Sequence, residues 1–303
     1  MKKTGWGIWI GLLLLLLAAC ERAAPPPPAP RYGNAPAAEK PVYRLAVHPL
    51  HNPEKLVAAY QPLIDYLNRE IAEARFELEA SRDYQAYEAK FRARSPAFLL
   101  PNPWQTLEAI KAGYRVIAMA GDAEDFKGIF LVRRDSGIRT PADLKGKAVS
   151  YPSHTALAAC IMPQYFLHRH GLDIRKDIEN RYVGSQESSI MNVYLGKSAA
   201  AATWPPPWRL FQRDHPKEAA ELEVIWETPS LINNSFMVRN DVPASLAEQV
   251  ADRLVGLAKS EEGRAILAGM ETARFHPAND ADYDRVREYI SAFEREVRRV
   301  EEP

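Results

Sequence analysis

The chain has 303 residues, with 39 Lys and Arg balancing 39 Asp and Glu. No basic stripe runs along it, so nucleic acid is not an expected partner. Two cysteines, Cys20 and Cys160, are too few for a disulfide framework or a cysteine-rich metal site, and no cofactor is expected.

In chain order, the first segment is a targeting sequence. Lys2 and Lys3 form a charged start, and an apolar run from Trp6 to Leu17 follows. The run is too short for a permanent membrane span and suits a secretory signal. It ends in Leu17-Ala18-Ala19-Cys20, which resembles the lipobox of bacterial lipoproteins. The resemblance implies cleavage after residue 19, a diacylglycerol on the Cys20 thiol and a membrane anchor. Glu21 then leans, by the sorting habit of such lipoproteins, toward the outer membrane. Residues 20–41 are rich in Pro and Ala, with Pro25 to Pro28 consecutive, and read as a stiff polyproline spacer.

The remaining ~260 residues can bury a sizeable core and are long enough for two lobes. Strand and helix patterns alternate, which argues for an α/β fold. Val42 to Val47 is the first expected strand, ending at His48-Pro49. Leu56, Tyr60, Leu63, Ile64, Leu67 and Ile71 then fall on one helical face, and Pro62 is expected to kink or restart that helix. Strands are expected at 76–80, 97–100 and 114–120, with a helix beginning near Pro103. In the centre, strands are expected at 128–133, 147–151, 181–184 and 199–203. A helix from His154 to Arg169, closed by Gly171, and another from Gln186 to Leu195 lie between them. Strands at 222–226 and 235–239 follow. Residues 243–300 read as helical, their charges forming a solvated face.

Several segments together resemble a family. Phe130-Leu-Val-Arg-Arg-Asp-Ser-Gly-Ile138, Asp143-Leu-Lys-Gly-Lys147 and the Ser/Thr-bearing helix start after the next strand are similar to substrate-binding proteins of phosphonate, phosphite and phosphate ABC transporters. Gln61-Pro-Leu-Ile-Asp-Tyr-Leu67, Asp83-Tyr84, Gly184-Ser-Gln-Glu187, residues 223–239 and Asp282-Tyr283 agree with it. The resemblance implies a type II periplasmic-binding-protein fold, with two α/β lobes joined by two crossing strands and ligand in the cleft. Lobe 1 would take residues 42–126 and 228–303, and lobe 2 residues 127–227. It also implies a monomeric extracytoplasmic receptor that hands a small, anionic solute to an ABC permease.

The strongest binding candidate is Tyr151-Pro-Ser-His-Thr155. There a strand delivers the chain to a helix N-terminus, whose free amides and positive dipole end favour an oxyanion. Ser153 or Thr155 is expected to cap that helix. The sequence Ser153-His154-Thr155-Ala156 departs from the family's Ser-Thr-Ser-Gly, and His154 could donate to an anion when protonated or partly fill the pocket. Gln186 stands where phosphonate binders often carry His. Glu187 either meets a ligand amine or supports the first turn of its own helix. Trp204 takes a place that relatives give to a polar group, and either walls the cleft or packs between lobes. Trp104, after Pro101-Asn102-Pro103, suggests an aromatic pocket, and Asn102 could present its amide to ligand. Tyr84 matches the tyrosine that contacts ligand oxygens in the family. His48 ends the first strand in a similar position, though a lone His is more often structural. Asn233-Asn234-Ser235 reads as a hinge.

Capture for uptake is the expected function, with a sensing module feeding a receptor as the alternative. An enzyme ranks third. Cys160 and His168 lie about two helical turns apart, too far for a nucleophile and its base, and no hydrolase, zincin or phosphate-loop motif occurs.

Overall fold

A computed structural model describes residues 40–302. The signal segment, Cys20 and the tether up to residue 39 lie outside the described residues.

The chain begins with β1 (Val42–Val47), α1 (Pro53–Glu70), β2 (Arg75–Glu79), α2 (Tyr84–Arg92), β3 (Phe98–Leu100), α3 (Pro103–Lys111) and β4 (Tyr114–Ala120). Asn52, Asp83 and Asn102 each cap the helix that follows through a side-chain oxygen. Pro62 does not interrupt α1, contrary to the expectation from sequence. It sits on the exposed face, as does Ala58 one turn earlier, so the carbonyl deprived of its partner meets water instead.

The chain then enters a second sheet with β5 (Ile129–Arg133), β6 (Lys147–Tyr151), a π-helical turn (Leu157–Ile161) running into α4 (Met162–Arg169), β7 (Ile178–Tyr182), α5 (Gln186–Tyr194), β8 (Ala200–Thr203), α6 (Pro205–Asp214), α7 (Pro216–Ala220) and β9 (Leu222–Glu227). The Pro triplet begins α6 and does not merely stiffen a loop. Proline suits a first helical turn, where the missing N–H would have had no partner. The chain returns through β10 (Ser235–Arg239), α8 (Ala244–Gly256), α9 (Glu261–Gly269), β11 (Phe275–His276) and α10 (Asp284–Glu296). The short strand β11 was not expected within the charged helical region.

The first sheet has the order β11-β4-β10-β3-β1-β2, and the second the order β7-β6-β8-β5-β9. β1 runs parallel to β2 and β3, while the returning β10 is antiparallel to β3 and β4. In the second sheet β6 is parallel to β7 and β8, and β5 is antiparallel to β8 and β9. The two segments that cross between sheets pair with each other. Gly128 N–H donates to Thr228 Oγ1 at 2.9 Å, Thr228 N–H to the Gly128 carbonyl at 2.9 Å, and Leu231 N–H to the Phe126 carbonyl at 2.9 Å. A Cβ added at Gly128 would stand 2.6 Å from the Ala158 carbonyl oxygen. Glycine is therefore what lets the crossing segment press against the π-turn.

Candidate functional site

Both sheets present strand ends and helix starts to a common crevice. On the first lobe, β1 delivers His48 to a position only 2% exposed. Its Nδ1 lies 2.8 Å from the Leu100 carbonyl oxygen. A carbonyl only accepts, so Nδ1 carries the hydrogen and Nε2 is left as a bare acceptor. Burial, opposed by that hydrogen bond and assisted by nearby His51, lowers the pKa of His48 to about 4. The ring is neutral at physiological pH.

Tyr84 opens α2 after the Asp83 cap and is also buried. Its hydroxyl oxygen accepts from Gln186 Nε2 at 3.2 Å, while Gln186 Oε1 accepts from Thr203 Oγ1 at 2.8 Å. Gln186 is thus oriented from both ends, and the phenol keeps its own hydrogen for another acceptor. Asn102 forms a reciprocal cap with Gln105 and donates through Nδ2 to the Thr155 carbonyl at 3.2 Å. It therefore joins the first lobe to the loop that leads into the π-turn.

That loop differs from the expected arrangement. The helix begins at Leu157, not at His154, and its N-cap is Ala156, with no side-chain capping bond. The hydroxyls of Ser153 and Thr155 do not cap it. Thr155 Oγ1 donates to Glu88 Oε1 at 2.7 Å and lies 3.1 Å from Ser153 Oγ. Glu88 also accepts from Gln105 Nε2 at 3.1 Å. Burial pushes the Glu88 carboxyl above the usual range, against those two hydrogen bonds and Arg92. An acidic group, not the ligand cavity, holds Thr155.

Ala156 to Ala159 instead face a narrow cavity of about 10 Å³, which Tyr84, Asn102, Gln186 and Trp204 also line. The first N–H groups of a helix have no acceptor within it. Here the bonds formed around the turn are Ala156 N–H to the Ser153 carbonyl and Ile161 N–H to the Ala156 carbonyl. The Leu157, Ala158 and Ala159 amides are left as donors at the positive end of the helix. His48, Phe126 and Asn234 complete the wall. Trp204 caps α6 and packs on Phe126, with ring centroids 5.5 Å apart. No Asp, Glu, Lys or Arg lines this cavity.

The other candidates lie elsewhere. Ser153, His154 and Thr155 line a wider outer crevice, together with Tyr84, Arg92 and Glu301. The His154 ring packs edge-on against Tyr182 at 5.8 Å. Burial, and then the nearby Arg298 charge, lower its pKa, which disfavours a cationic role. Trp104 is buried on the far side of α3 with Leu107 and Ile290, away from the cavity. Glu187 is committed to an ionic rim. Its Oε2 accepts from Lys55 Nζ at 2.9 Å and its Oε1 lies 3.1 Å from His215 Nε2, while Lys55 also donates to Asp214 at 3.1 Å. Burial works against the Glu187 charge, but Lys55 and His215 outweigh it and lower its pKa.

Phe126 was not singled out as a site residue from sequence, Asn234 was read as part of a hinge, and the free helix-start amides were expected a few residues earlier, at His154. Asn234 carried a signal in its position just before β10, but nothing local distinguished a hinge from a cavity wall. Alanines that act through their amides leave no side-chain signature at all. Cys160 is fully buried, and burial pushes its thiol up to about 12 despite Arg298 nearby, which removes it as a nucleophile. Among the described residues no group of three or more His, Cys, Asp or Glu is placed to hold a metal ion.

An uncharged, donor-rich cavity between two α/β lobes joined by paired crossing segments defines a type II periplasmic binding protein. Comparison with known proteins agrees with that class. The chain belongs to the family described as the periplasmic substrate-binding protein of phosphonate ABC transporters, which matches residues 45–283; it is a family of binding proteins, not of enzymes. A probable ABC transporter phosphite-binding protein of Prochlorococcus marinus is 25% identical over 186 residues, a match spanning 57% of this chain and 63% of that relative. The fold is similar to a binding-protein component of an ABC phosphonate transporter from Pseudomonas aeruginosa (TM-score 0.77, 16% identity, 85% of this chain and 88% of that one). It is also similar to a Prochlorococcus marinus protein solved in complex with methylphosphonate (TM-score 0.76, 19% identity, 83% and 97%).

Proposed function

We propose that the chain is the extracytoplasmic receptor of an ABC importer and captures a small tetrahedral oxyanion of the phosphonate or phosphite kind. The observation that carries this reading is the meeting of the Leu157, Ala158 and Ala159 amides with Tyr84 and Trp204 around one narrow space. Such donors stabilise an anion without a formal cation, because they are fixed in place and shielded from water. The space among these groups is about 10 Å³, room for about one water, so a solute is taken up with the lobes further apart than they stand here. Phe126 and Trp204 offer an apolar wall to a small substituent on phosphorus.

In this reading Tyr84, Gln186, Trp204 and the π-turn amides form the binding wall, and Asn102 fixes the turn against the first lobe. Ser153, His154 and Thr155 stand one step behind, while Trp104 and Glu187 do not touch ligand. Residues 42–126 with 228–303 and residues 127–227 move as the two lobes. Cys20 carries a lipid anchor, residues 20–41 space the monomer from the membrane, and an ABC permease receives the solute. Isothermal titration with methylphosphonate and phosphite tests the ligand. Saturable binding of either, lost on replacing the π-turn amides, is expected; heat-silent titrations with both would overturn the reading. Acyl labelling that disappears in Cys20→Ala tests the anchor.

A further inference from the structure

The cavity wall contains a bare hydrogen-bond acceptor as well as donors. The second lobe contributes the Leu157, Ala158 and Ala159 amides at a helix start. The first lobe contributes His48, whose Nε2 is bare because Nδ1–H is bound to the Leu100 carbonyl at 2.8 Å. Asn234 also lines the wall, but its amide holds a donor, Nδ2, as well as the buried Oδ1 that has no partner among the described residues, so it can meet an oxygen in either state. A fully ionised oxyanion would set its lone pairs against His48 Nε2 and leave that nitrogen desolvated and unsatisfied. We propose that the site takes its oxyanion with one proton still attached, as a monoanion. Its P–OH donates to His48 Nε2, and its unprotonated oxygens accept from the π-turn amides.

This rests on the phosphonate-type reading above and deepens it. The charge balance agrees, since no ionised side chain in the wall could offset a second negative charge. Around His48 the titratable neighbours are Tyr84 and Tyr87 on α2, with ring centroids at 6.2 and 6.5 Å, and His51 in the loop ahead of α1. Behind Tyr84 stand Glu88 and the buried Cys160. Gln186, facing from the second lobe, is neutral. No cation approaches His48 from the cavity side, so Nε2 stays an acceptor.

The test compares three probes on the full chain by titration calorimetry: methylphosphonate, methanesulfonate and chloromethylphosphonate. Methanesulfonate has the same shape and a single charge but no proton to give. It should bind at least about thirtyfold more weakly than methylphosphonate at pH 6, because a buried acceptor goes unpaired. Methylphosphonate affinity should fall by about tenfold per pH unit above its second ionisation, the slope of a one-proton requirement. The break should move to lower pH with chloromethylphosphonate, whose second proton is more acidic, which separates ligand titration from protein titration. Equal affinity for phosphonate and sulfonate, or tighter binding as the dianion forms, would overturn the proton requirement while leaving phosphonate capture intact. If no phosphonate binds at any pH, the ligand reading itself falls, and this inference with it.

Discussion

Two regions of the interlobe boundary handle charge in opposite ways. The rim is ionic. Lys55 of α1 reaches Glu187 and Asp214 of the second lobe, while Arg209 and Arg213 of α6 reach Asp125 and Glu271 of the first. The cavity, a short distance inward, has no Asp, Glu, Lys or Arg in its wall and is lined by backbone amides, a phenol and an indole. The difference follows from solvent. Rim groups such as Lys55 and Glu187 are about a third exposed (33% and 34%), so water screens them and their pairs can break as the lobes part. A buried cation would have to be desolvated in each closure, whereas fixed dipoles cost nothing to reorganise.

Reversing the character of the cavity should have the largest effect. Gln186→Glu is nearly isosteric but places a carboxylate between Tyr84 and Thr203. Titration should show oxyanion affinity falling about a hundredfold or more at neutral pH, through like-charge repulsion in a desolvated site. Gly128→Ala comes next. Its methyl would collide with the Ala158 carbonyl and displace the amide donors, weakening binding by about ten- to fiftyfold, in the range of a lost charged hydrogen bond. The check is whether affinity falls more than the melting temperature predicts. Tyr84→Phe removes one donor and also leaves Gln186 Nε2 without its acceptor, for an expected loss of about tenfold.

The rim should respond weakly and to different variables. Lys55→Gln should change affinity by no more than about fivefold, consistent with ~0–1 kcal/mol for exposed pairs. Added salt should mimic the variant, while leaving Gln186→Glu unaltered. A large salt-independent loss in Lys55→Gln would erase the contrast between the two regions. The smallest effect is on stability against pH. The lowered pKa of Glu187 means its pairing stabilises the fold at neutral pH and is lost as acid protonates it, below the ordinary carboxylate range. His48 and His51, both lowered to about 4 by burial, act over a higher window. The unfolded chain binds their protons first, so stability should decline as pH drops from about 6.5 toward 4. Thermal melts across that window, with His51→Gln reducing the slope, check the sign.

Much of the architecture was legible because burial imposes a pattern on side chains. β1, β4, β6 and β10 fall where alternation and β-branched runs place them. Asn102 and Asp83 prove to cap their helices, a role the sequence reading did not assign them. What stayed hidden was governed by backbone and context. Pro62 looks like a break until the exposed face of α1 is known. Pro205-Pro206-Pro207 reads as a stiff loop until a helix start is seen to need no N–H there. The π-turn moves the helix start from His154 to Leu157, so the free amides belong to residues 157–159 and the Ser153 and Thr155 hydroxyls bond elsewhere. For the site, Tyr84, Asn102, Gln186 and Trp204 do line one cavity. Trp104 and Glu187 were drawn by their chemistry to places where packing and ion pairing already occupy them.

The position of β10 has a consequence in time. It lies in the middle of the first sheet, between β4 and β3, yet residues 235–239 emerge only after the whole second sheet has been made. As the chain leaves a ribosome or an export channel, its leading part must wait, with a strand-wide gap and open edges, until the trailing quarter arrives to fill it. The two halves therefore cannot mature one after the other, and a nascent chain cut short before residue 235 would hold an exposed sheet edge in place of a finished receptor.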